Sequence, residues 1–169
     1  MTDYSNLEPM GGSEFSAMTR IPTHTLADWR KRGIGETLCR PHPNGNGRWL
    51  YSREAALQVH IAEKLRTMAI EWREALIVAY FIVNYMLGRA QHGHVPGAGG
   101  YTGRYMTFAP IIAGDPIRYR ADQDIAAAFE QWKGEIDFPS VMVFDLDEIE
   151  AGLPAEFKRG LDGLRTTAE

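Results

Sequence analysis

The sequence lacks most of what would place the protein outside a cell or in a membrane. A single cysteine, Cys39, excludes an internal disulfide framework and a site with several thiolate ligands, which fits a reducing compartment. The longest apolar run, residues 75–83, is too short to span a bilayer, which takes about 20 residues. The first residues contain no basic stretch followed by an apolar one, so they do not resemble a secretory signal. We therefore expect a soluble, cytoplasmic protein without a membrane partner.

Positive charge is scarce over the whole chain, whose net charge is −4, but it is concentrated in one segment. Residues 20–66 contain nine Lys or Arg against four Asp or Glu, a local net charge of +5, and the rest of the chain totals −9. A basic segment joined to an acidic body is the pattern expected when a DNA-binding module is fused to another domain. The 169 residues suffice for one substantial core or two small ones.

The first half of the basic segment predicts two short helices separated by a tight turn. Ser13 is placed to cap the first helix, over residues 14–18, and the proline between the helices cannot continue the hydrogen-bond ladder. The second helix is expected over residues 24–32. It is capped by Thr23 or the residue after it, and Gly33 closes it.

The second half of the segment predicts a hairpin followed by a third helix. Residues 34–51 contain two short strands, and the Asn-Gly pairs at 44–47 mark the tip because both residue types tolerate positive φ. Ser52 supplies a start signal for a helix over residues 53–66, whose apolar positions favour one face.

A long apolar helix and a glycine-rich loop form the middle of the chain. A helix is predicted over residues 68–87, and residues 75–83 within it are apolar nearly all round, so it must be buried on most sides. We expect it to end at Gly88 and to pack against the C-terminal part, a second subunit, or both. Residues 91–103 are glycine-rich and polar, which is typical of a loop or a flexible linker.

The C-terminal third has a mixed pattern of strands and helices. Strands are predicted over residues 105–112, 117–120 and 140–145, with a turn at 114–116. Helical structure is predicted over residues 123–133 and from residue 154 onward, with helical or irregular structure over 146–153.

The order of the N-terminal elements resembles a known domain. The run SEFSAMTRIPTHTLADWRKRGI, the segment GNGRWLYSREAA and the helix after it together resemble the MerR-like winged helix-turn-helix domain, in the broad sense that includes phage excisionase-type modules. The matching positions are Thr25, Leu26, Trp29, Gly33, Arg48, Tyr51 and Ser52. The resemblance covers about residues 12–66, and it implies a DNA-binding domain with a recognition helix and a wing.

Two features depart from the family pattern. Ala27 stands where the family often has a basic residue, so that phosphate contact is either absent or supplied by Arg30 or Lys31. The acidic C-terminal half lacks the cysteines of the metal-sensing members, which removes thiolate metal sensing from the inference. We expect no cofactor and no metal ion.

The resemblance implies DNA contacts from three parts of the domain. The candidates at the start of the recognition helix, where side chains reach base edges, are Thr23, His24 and Asp28, and Thr25 is a further DNA-binding candidate there. The candidates for phosphate contacts near that helix are Arg20, Arg30 and Lys31. The candidates on the wing are Arg40, Asn46, Arg48 and Tyr51. Tyr51 is equally suited to core packing, and Trp29 is expected in the core because it aligns with Leu26.

The predicted fold class is α+β, with an N-terminal winged helix-turn-helix, a long buried helix and a small C-terminal α+β domain. The expected division is a disordered N-terminus at 1–11, the winged domain at 12–66, a linking and dimerisation helix at 67–90, the loop at 91–103, and an oligomerisation or regulatory domain at 104–169. The residues expected to form the dimer contacts are Leu76, Ile77, Tyr80, Phe81 and Val83.

Three patterns that could suggest chemical sites are not assigned as such. His92 and His94 with Asp145 and Asp147 have no element that fixes their relative positions, so no metal site is predicted. Residues 97–103 lack the Lys-Ser/Thr ending of a phosphate-binding loop and follow a helix. The two aspartates are explained by a solvated strand end or a subunit contact. We therefore predict no enzymatic activity.

The first hypothesis is a sequence-specific regulator that binds double-stranded DNA as a homodimer and associates with the nucleoid. An alternative within DNA binding is an excisionase-like or architectural factor that bends DNA or binds repeated sites. An alternative from another class is an antitoxin-like or adaptor module whose acidic C-terminal half holds a basic protein partner.

Overall fold

The computed structural model describes residues 9–92, 101–110, 117–134 and 141–166. The chain divides into two compact units, Met1–Val83 and Asn84–Glu169, and the boundary falls within the longest helix. Helices accompany a small three-stranded sheet in each unit, so the α+β prediction is confirmed. Over the described ranges, no helix is both long and apolar enough to cross a membrane.

The first unit begins with two helices, α1 (Gly12–Thr19) and α2 (Thr23–Lys31), close to their predicted bounds. The predicted caps are wrong. Gly11 and Pro22 occupy the N-cap positions, so Ser13 lies inside the first turn of α1 and Thr23 opens α2. The reason at α2 is that proline fixes a φ suited to helix entry and needs no amide partner there.

The end of α2 follows the prediction. Gly33 has a φ of 64°, and Ile34 donates its N–H to the carbonyl of Trp29 at 2.8 Å. A glycine in the left-handed region closing the last turn is the usual way to satisfy the final carbonyls of a helix.

The predicted wing is present. After a 3-10 turn at Glu36–Leu38, strand β2 (Cys39–Pro41) pairs antiparallel with β3 (Trp49–Tyr51). A further strand, β1 (Met10–Gly11), pairs with the other edge of β3. The segment predicted to be disordered at the N-terminus therefore includes two residues of ordered strand, which are too few to show an alternating pattern.

Two long helices complete the first unit. Helix α3 (Arg53–Arg66) begins as predicted, because Ser52 Oγ accepts a hydrogen bond from the N–H of Ala55 at 3.0 Å. Helix α4 (Trp72–His92) starts four residues later than predicted and continues past Gly88, so the expected end there is wrong. A Cβ on Gly88 would lie 2.5 Å from the ring of Tyr101, so this glycine permits close packing within the helix.

Aromatic pairs form much of the core of the first unit. The ring of Phe15 stacks on Tyr51 with centroids 4.2 Å apart, and Trp29 meets Trp72 at 4.7 Å. The guanidinium of Arg66 lies 5.4 Å from the centre of the Trp72 ring. These contacts tie α1 to the wing and α2 to α4, because each pair joins two of those elements.

In the second unit, β4 (Tyr105–Phe108) lies between β5 (Tyr119–Asp122) and β6 (Met142–Asp145), and both pairings are antiparallel. The helices are α5 (Ile125–Glu130), α6 (Leu146–Ala151) and α7 (Ala155–Thr166). The first predicted strand extends too far, the second is shifted by two residues, and the predicted helix at 123–133 is shorter in the structure. The predicted turn at 114–116 and most of the glycine-rich loop lie outside the described residues.

Several polar side chains of the second unit form hydrogen bonds that hold its strands and helices together. Trp132 Nε1 donates to the buried Thr107 Oγ1 at 2.8 Å, and Arg104 holds Asp145 through bonds of 2.6 to 3.1 Å. The Arg104 contact lowers the pKa of the Asp145 carboxyl. Asp145 also caps α6, and Asp147 pairs with Arg89 at 2.7 Å. These aspartates are structural, and the part of the chain that is described contains no cluster of metal ligands.

Candidate nucleic-acid interface

Helix α2 has an inner side and an opposite, exposed side. Leu26 and Trp29 are only 3% and 4% exposed and form the inner side. His24, Asp28 and Lys31 follow at i, i+4 and i+7 and are all exposed. Residues with this spacing share one face of a helix, so these three side chains form a continuous surface that a DNA groove can receive.

The starts of α1 and α2 are free of side-chain caps. Their N-cap residues, Gly11 and Pro22, make no side-chain bond to the first turn. By contrast, α3, α5 and α6 are capped by Ser52, Asp124 and Asp145. Uncapped N–H groups and the positive end of the helix dipole attract anions such as DNA phosphates.

Several of the residues predicted to contact DNA line one cleft. The starts of α1 and α2 and one side of the wing enclose a volume of about 610 Å³. Thr23 and Arg30 border it from α2, and Arg48 borders it from the wing. His42, which sequence reasoning did not select, also lines the cleft. Thr25 is half-buried and does not line it.

The tip of the wing is held by its own hydrogen bonds. Asn46 Oδ1 accepts from the N–H of Arg48 at 3.4 Å, and the carbonyl of Arg48 accepts from the N–H of His42 at 3.0 Å. Within the two Asn-Gly pairs, the glycines have positive φ, 61° at Gly45 and 73° at Gly47, and the asparagines do not. The Arg48 side chain is exposed, as are those of Asn46 and Arg40. The wing therefore presents cations from an ordered hairpin.

Two of the predicted DNA contacts are instead turned toward the protein. Tyr51 is 2% exposed, so the core role that the sequence left open is the one it has. Arg30 Nη1 donates to the Tyr51 hydroxyl, and its guanidinium lies 5.1 Å from the centre of the Trp49 ring. Burial raises the pKa of the Tyr51 hydroxyl, and the nearby Arg30 partly offsets this.

Cys39 lies beside the same group. It pairs with Tyr51 in the strand register and is half-buried. Burial raises the pKa of its thiol, and the field of Arg30 lowers it to a smaller extent. Because a raised pKa disfavours the thiolate, Cys39 is less reactive than an ordinary exposed thiol.

Arg20 adopts a backbone conformation that is unfavourable for its side chain. It follows α1 with φ 60° and ψ 10°, in the left-handed region, and its side chain is exposed. That conformation costs a non-glycine residue about 1–2 kcal/mol. Ala69, with a φ of 62°, is the other described non-glycine residue in this region.

Helix α4 is buried over most of its surface, in line with the prediction, and one side of it is exposed. Ile77 and Tyr80 are 38% and 40% exposed, and Phe81 is half-buried. Leu76 and Val83 are only 1% and 3% exposed. Of the five residues assigned to a dimer contact, three can therefore reach a second molecule and two belong to the core of the chain.

The geometry agrees with the comparison to family models. Residues 10–69 match the model described as MerR HTH family regulatory protein. They form a MerR-like helix-turn-helix domain. The match begins at β1 and ends just before α4, so it includes the strand that sequence patterns missed. A comparison with curated proteins found no match.

The match supports a DNA-binding transcription regulator in general terms, and regulators of this type are in general not enzymes. Sequence reasoning found the MerR-like domain but missed β1, His42 and the contact of Arg30 with the wing. The sequence did contain one signal for the contact of Arg30 with the wing. Arg30 lies four residues after Leu26 and so shares its side of the helix, and Tyr51 lies two residues after Trp49 and so shares its side of the strand.

Proposed function

We propose that the protein is a transcription regulator that binds double-stranded DNA in a sequence-specific manner as a homodimer, with one MerR-like domain on each half-site. One observation carries the proposal. The uncapped start of the recognition helix and the cationic wing line the same cleft. Residues 67–169 hold nine basic against fifteen acidic side chains, so the excess of positive charge that favours DNA is confined to the segment before them. Such a protein would act in the cytoplasm, at the nucleoid.

Base reading is assigned to the exposed side of α2. His24 and Lys31 can donate to base edges or phosphates, and Asp28 can accept from a cytosine amino group. Asp28 is already paired with Arg32 at 3.3 Å, which reduces its repulsion of the DNA backbone. Thr23 at the first turn is placed to reach a phosphate or a base edge beside the open helix start.

Backbone contacts are assigned to Arg20, Arg40 and Arg48, which are all exposed. Arg20 lies between α1 and α2, and the other two lie on the wing. Phosphate contacts fix register and supply most of the salt-dependent affinity, whereas the base contacts supply specificity.

Dimerisation has a physical motive and a candidate surface. A single domain with few phosphate contacts binds DNA weakly, and two domains double both the electrostatic and the base-reading contributions. Ile77, Tyr80 and Phe81 share one side of α4 at i, i+3 and i+4 spacing, and an apolar face of this kind is suited to a second copy.

Replacing Arg48 by alanine will weaken binding to all duplex sequences alike and make it less sensitive to salt. We expect the slope of log affinity against log salt concentration to fall by about 1 for each domain bound. The measurement is fluorescence anisotropy with a mixed-sequence duplex at four or more salt concentrations. Lys133→Ala is the matched control, because it removes an exposed cation from the turn that follows α5 in the second unit. An unchanged slope in Arg48→Ala would remove the wing from the interface.

Replacing Arg20 by glycine will stabilise the protein and weaken its binding to DNA. Glycine relieves the left-handed strain, and after its larger unfolded-state entropy is counted we expect a gain of up to about 1 kcal/mol. The lost phosphate contact lowers the salt slope by about 1. Chemical denaturation and anisotropy measure the two effects.

Ala69→Gly is the control for Arg20→Gly, since its φ is nearly the same. It should be stabilised similarly and should bind DNA as the wild type does. If Arg20→Gly also keeps full DNA affinity, Arg20 has no role at the interface.

A further inference from the structure

Arg30 joins two elements that are far apart in sequence. It lies in the last turn of α2, and it donates a hydrogen bond to the hydroxyl of Tyr51, 21 residues later in β3. Its guanidinium also lies over the ring of Trp49 in the same strand, 5.1 Å from the ring centre. The two contacts come from the two side chains at the ends of β3, so they fix both the position and the direction of that strand relative to α2.

Tyr51 is itself held firmly. Its ring stacks on Phe15 of α1, and its backbone pairs with Met10 on one side and Cys39 on the other. The hydroxyl is therefore a fixed acceptor, and Arg30 is attached to a rigid part of the sheet. Arginine suits this place because its planar guanidinium can donate a hydrogen bond and stack on an aromatic face at the same time.

We propose that Arg30 is a positioning residue that fastens the recognition helix to the wing, so that both reach DNA in one fixed geometry. This inference rests on the proposed function. Binding by two elements is strengthened when their relative geometry is set before the encounter, because less conformational freedom is lost on binding. Arg30 then raises affinity without touching a phosphate, which separates it from Arg20 and Arg48.

The first test needs no DNA. Hydrogen exchange of the wing amides, including the His42 N–H that bonds the carbonyl of Arg48, is compared between wild type and Arg30→Ala. We expect protection of the wing to fall by about tenfold or more while α3 stays protected, because a hydrogen bond to a charged group is lost. Tyr51→Phe, which keeps the ring on Phe15 and removes only the acceptor, should show part of the same loss.

Two further variants distinguish the specific contacts of Arg30 from the general effect of a positive charge near the end of α2. Arg32→Ala removes a neighbouring cation that is exposed and pairs with Asp28, so wing protection should stay unchanged. Arg30→Lys keeps a cation and a donor but not the planar group, so it should restore protection only in part. If Arg30→Ala leaves wing protection at the wild-type level, the positioning role is wrong whatever the protein does with DNA.

The second test uses mixed-sequence duplex DNA at several salt concentrations. Arg30→Ala should lower affinity with the salt slope unchanged, whereas Arg48→Ala lowers the slope. In the double variant, Arg48→Ala should cost less than it does alone, because the wing is no longer held in place. A slope reduced by about 1 and additive effects would instead make Arg30 a direct phosphate contact. If the wild type does not bind the duplex while wing protection still depends on Arg30, the proposed function fails and the positioning role stands.

Discussion

Replacing Ile77 and Tyr80 together by aspartate will dissociate the proposed homodimer into monomers. Both side chains are more than one-third exposed on α4, and each occurs twice in a symmetric interface. Burying a large apolar side chain contributes about 1.5–3 kcal/mol, so losing four half-exposed ones removes about 3 kcal/mol or more. This raises the dimer dissociation constant by about 100-fold or more. Analytical ultracentrifugation over a range of concentrations measures it.

The double variant Ile125→Asp with Phe129→Asp is the matched control for the interface. These two apolar residues are 43% and 42% exposed on α5, so the control adds the same charge and removes a similar apolar surface elsewhere on the chain. The control should remain dimeric, and the α4 double variant should keep its helical content, which shows that its monomer is still folded. An α4 double variant that sediments as the wild type does would exclude this face from the dimer contact.

Loss of the dimer should also change DNA binding. Each monomer keeps an intact MerR-like domain, so weak binding with the same salt dependence per domain is expected. Binding to two half-sites at once is lost, and with it the gain that comes from linking two domains in one molecule. In a gel-shift titration, the complex of one dimer with two half-sites should be replaced by independent occupation of each half-site.

Replacing Trp29 by alanine will lower the free energy of unfolding of the first unit by about 3–5 kcal/mol, the range for truncating a large buried aromatic side chain. Trp29 is 4% exposed, and its ring meets that of Trp72 at 4.7 Å. The carbonyl of Trp29 also accepts the bond from Ile34 that closes α2. The cavity therefore lies directly beneath the recognition helix. Because whole domains are stable by only about 5–15 kcal/mol, much of the stability is lost.

Denaturant unfolding followed by far-ultraviolet circular dichroism measures the Trp29 effect. Trp29→Phe, which retains an aromatic ring against Trp72, should cost clearly less. His24→Ala, on the exposed side of the same helix, should stay within about 0.5 kcal/mol of wild type. A loss below about 1 kcal/mol for Trp29→Ala would mean that α2 is not supported by this aromatic pair.

The parts of the fold that the sequence predicted are the ones with local signals. Gly33 ends α2 because glycine takes positive φ readily, and the Asn-Gly pairs mark the wing tip for the same reason. Ser52 caps α3 through a bond three residues away. Each of these signals depends on a few adjacent residues, so it can be recognised before any tertiary contact is known.

The parts that the sequence did not predict depend on contacts between distant residues. The strand β1 exists only because it pairs with β3, 40 residues later. Helix α4 passes through Gly88 because the ring of Tyr101 packs against that glycine. Arg30 was assigned to a phosphate as a cation of the recognition helix, and its contact with the wing was not predicted. Its partner, Tyr51, becomes visible only when the wing is folded against α2.

The candidate binding residues also divide into those that the sequence could predict and those that it could not. Exposure of His24, Asp28 and Lys31 follows from helical periodicity, since the apolar residues at 26 and 29 fix which side is inward. That Leu76 and Val83 are buried within the chain itself, and not at a dimer contact, could not be inferred, because the run around them is apolar on every side and periodicity then gives no inward direction.

Selection of binding sites from random duplex DNA by the full-length protein is the most direct test of sequence-specific binding as a dimer. Enrichment of one motif made of two related half-sites, with footprints over both, is expected because each domain of a dimer reads one half-site. A long array of repeated sites would indicate an architectural or excisionase-like factor instead. Recovery of no motif, together with no salt-sensitive affinity for duplex DNA, would contradict the proposed function.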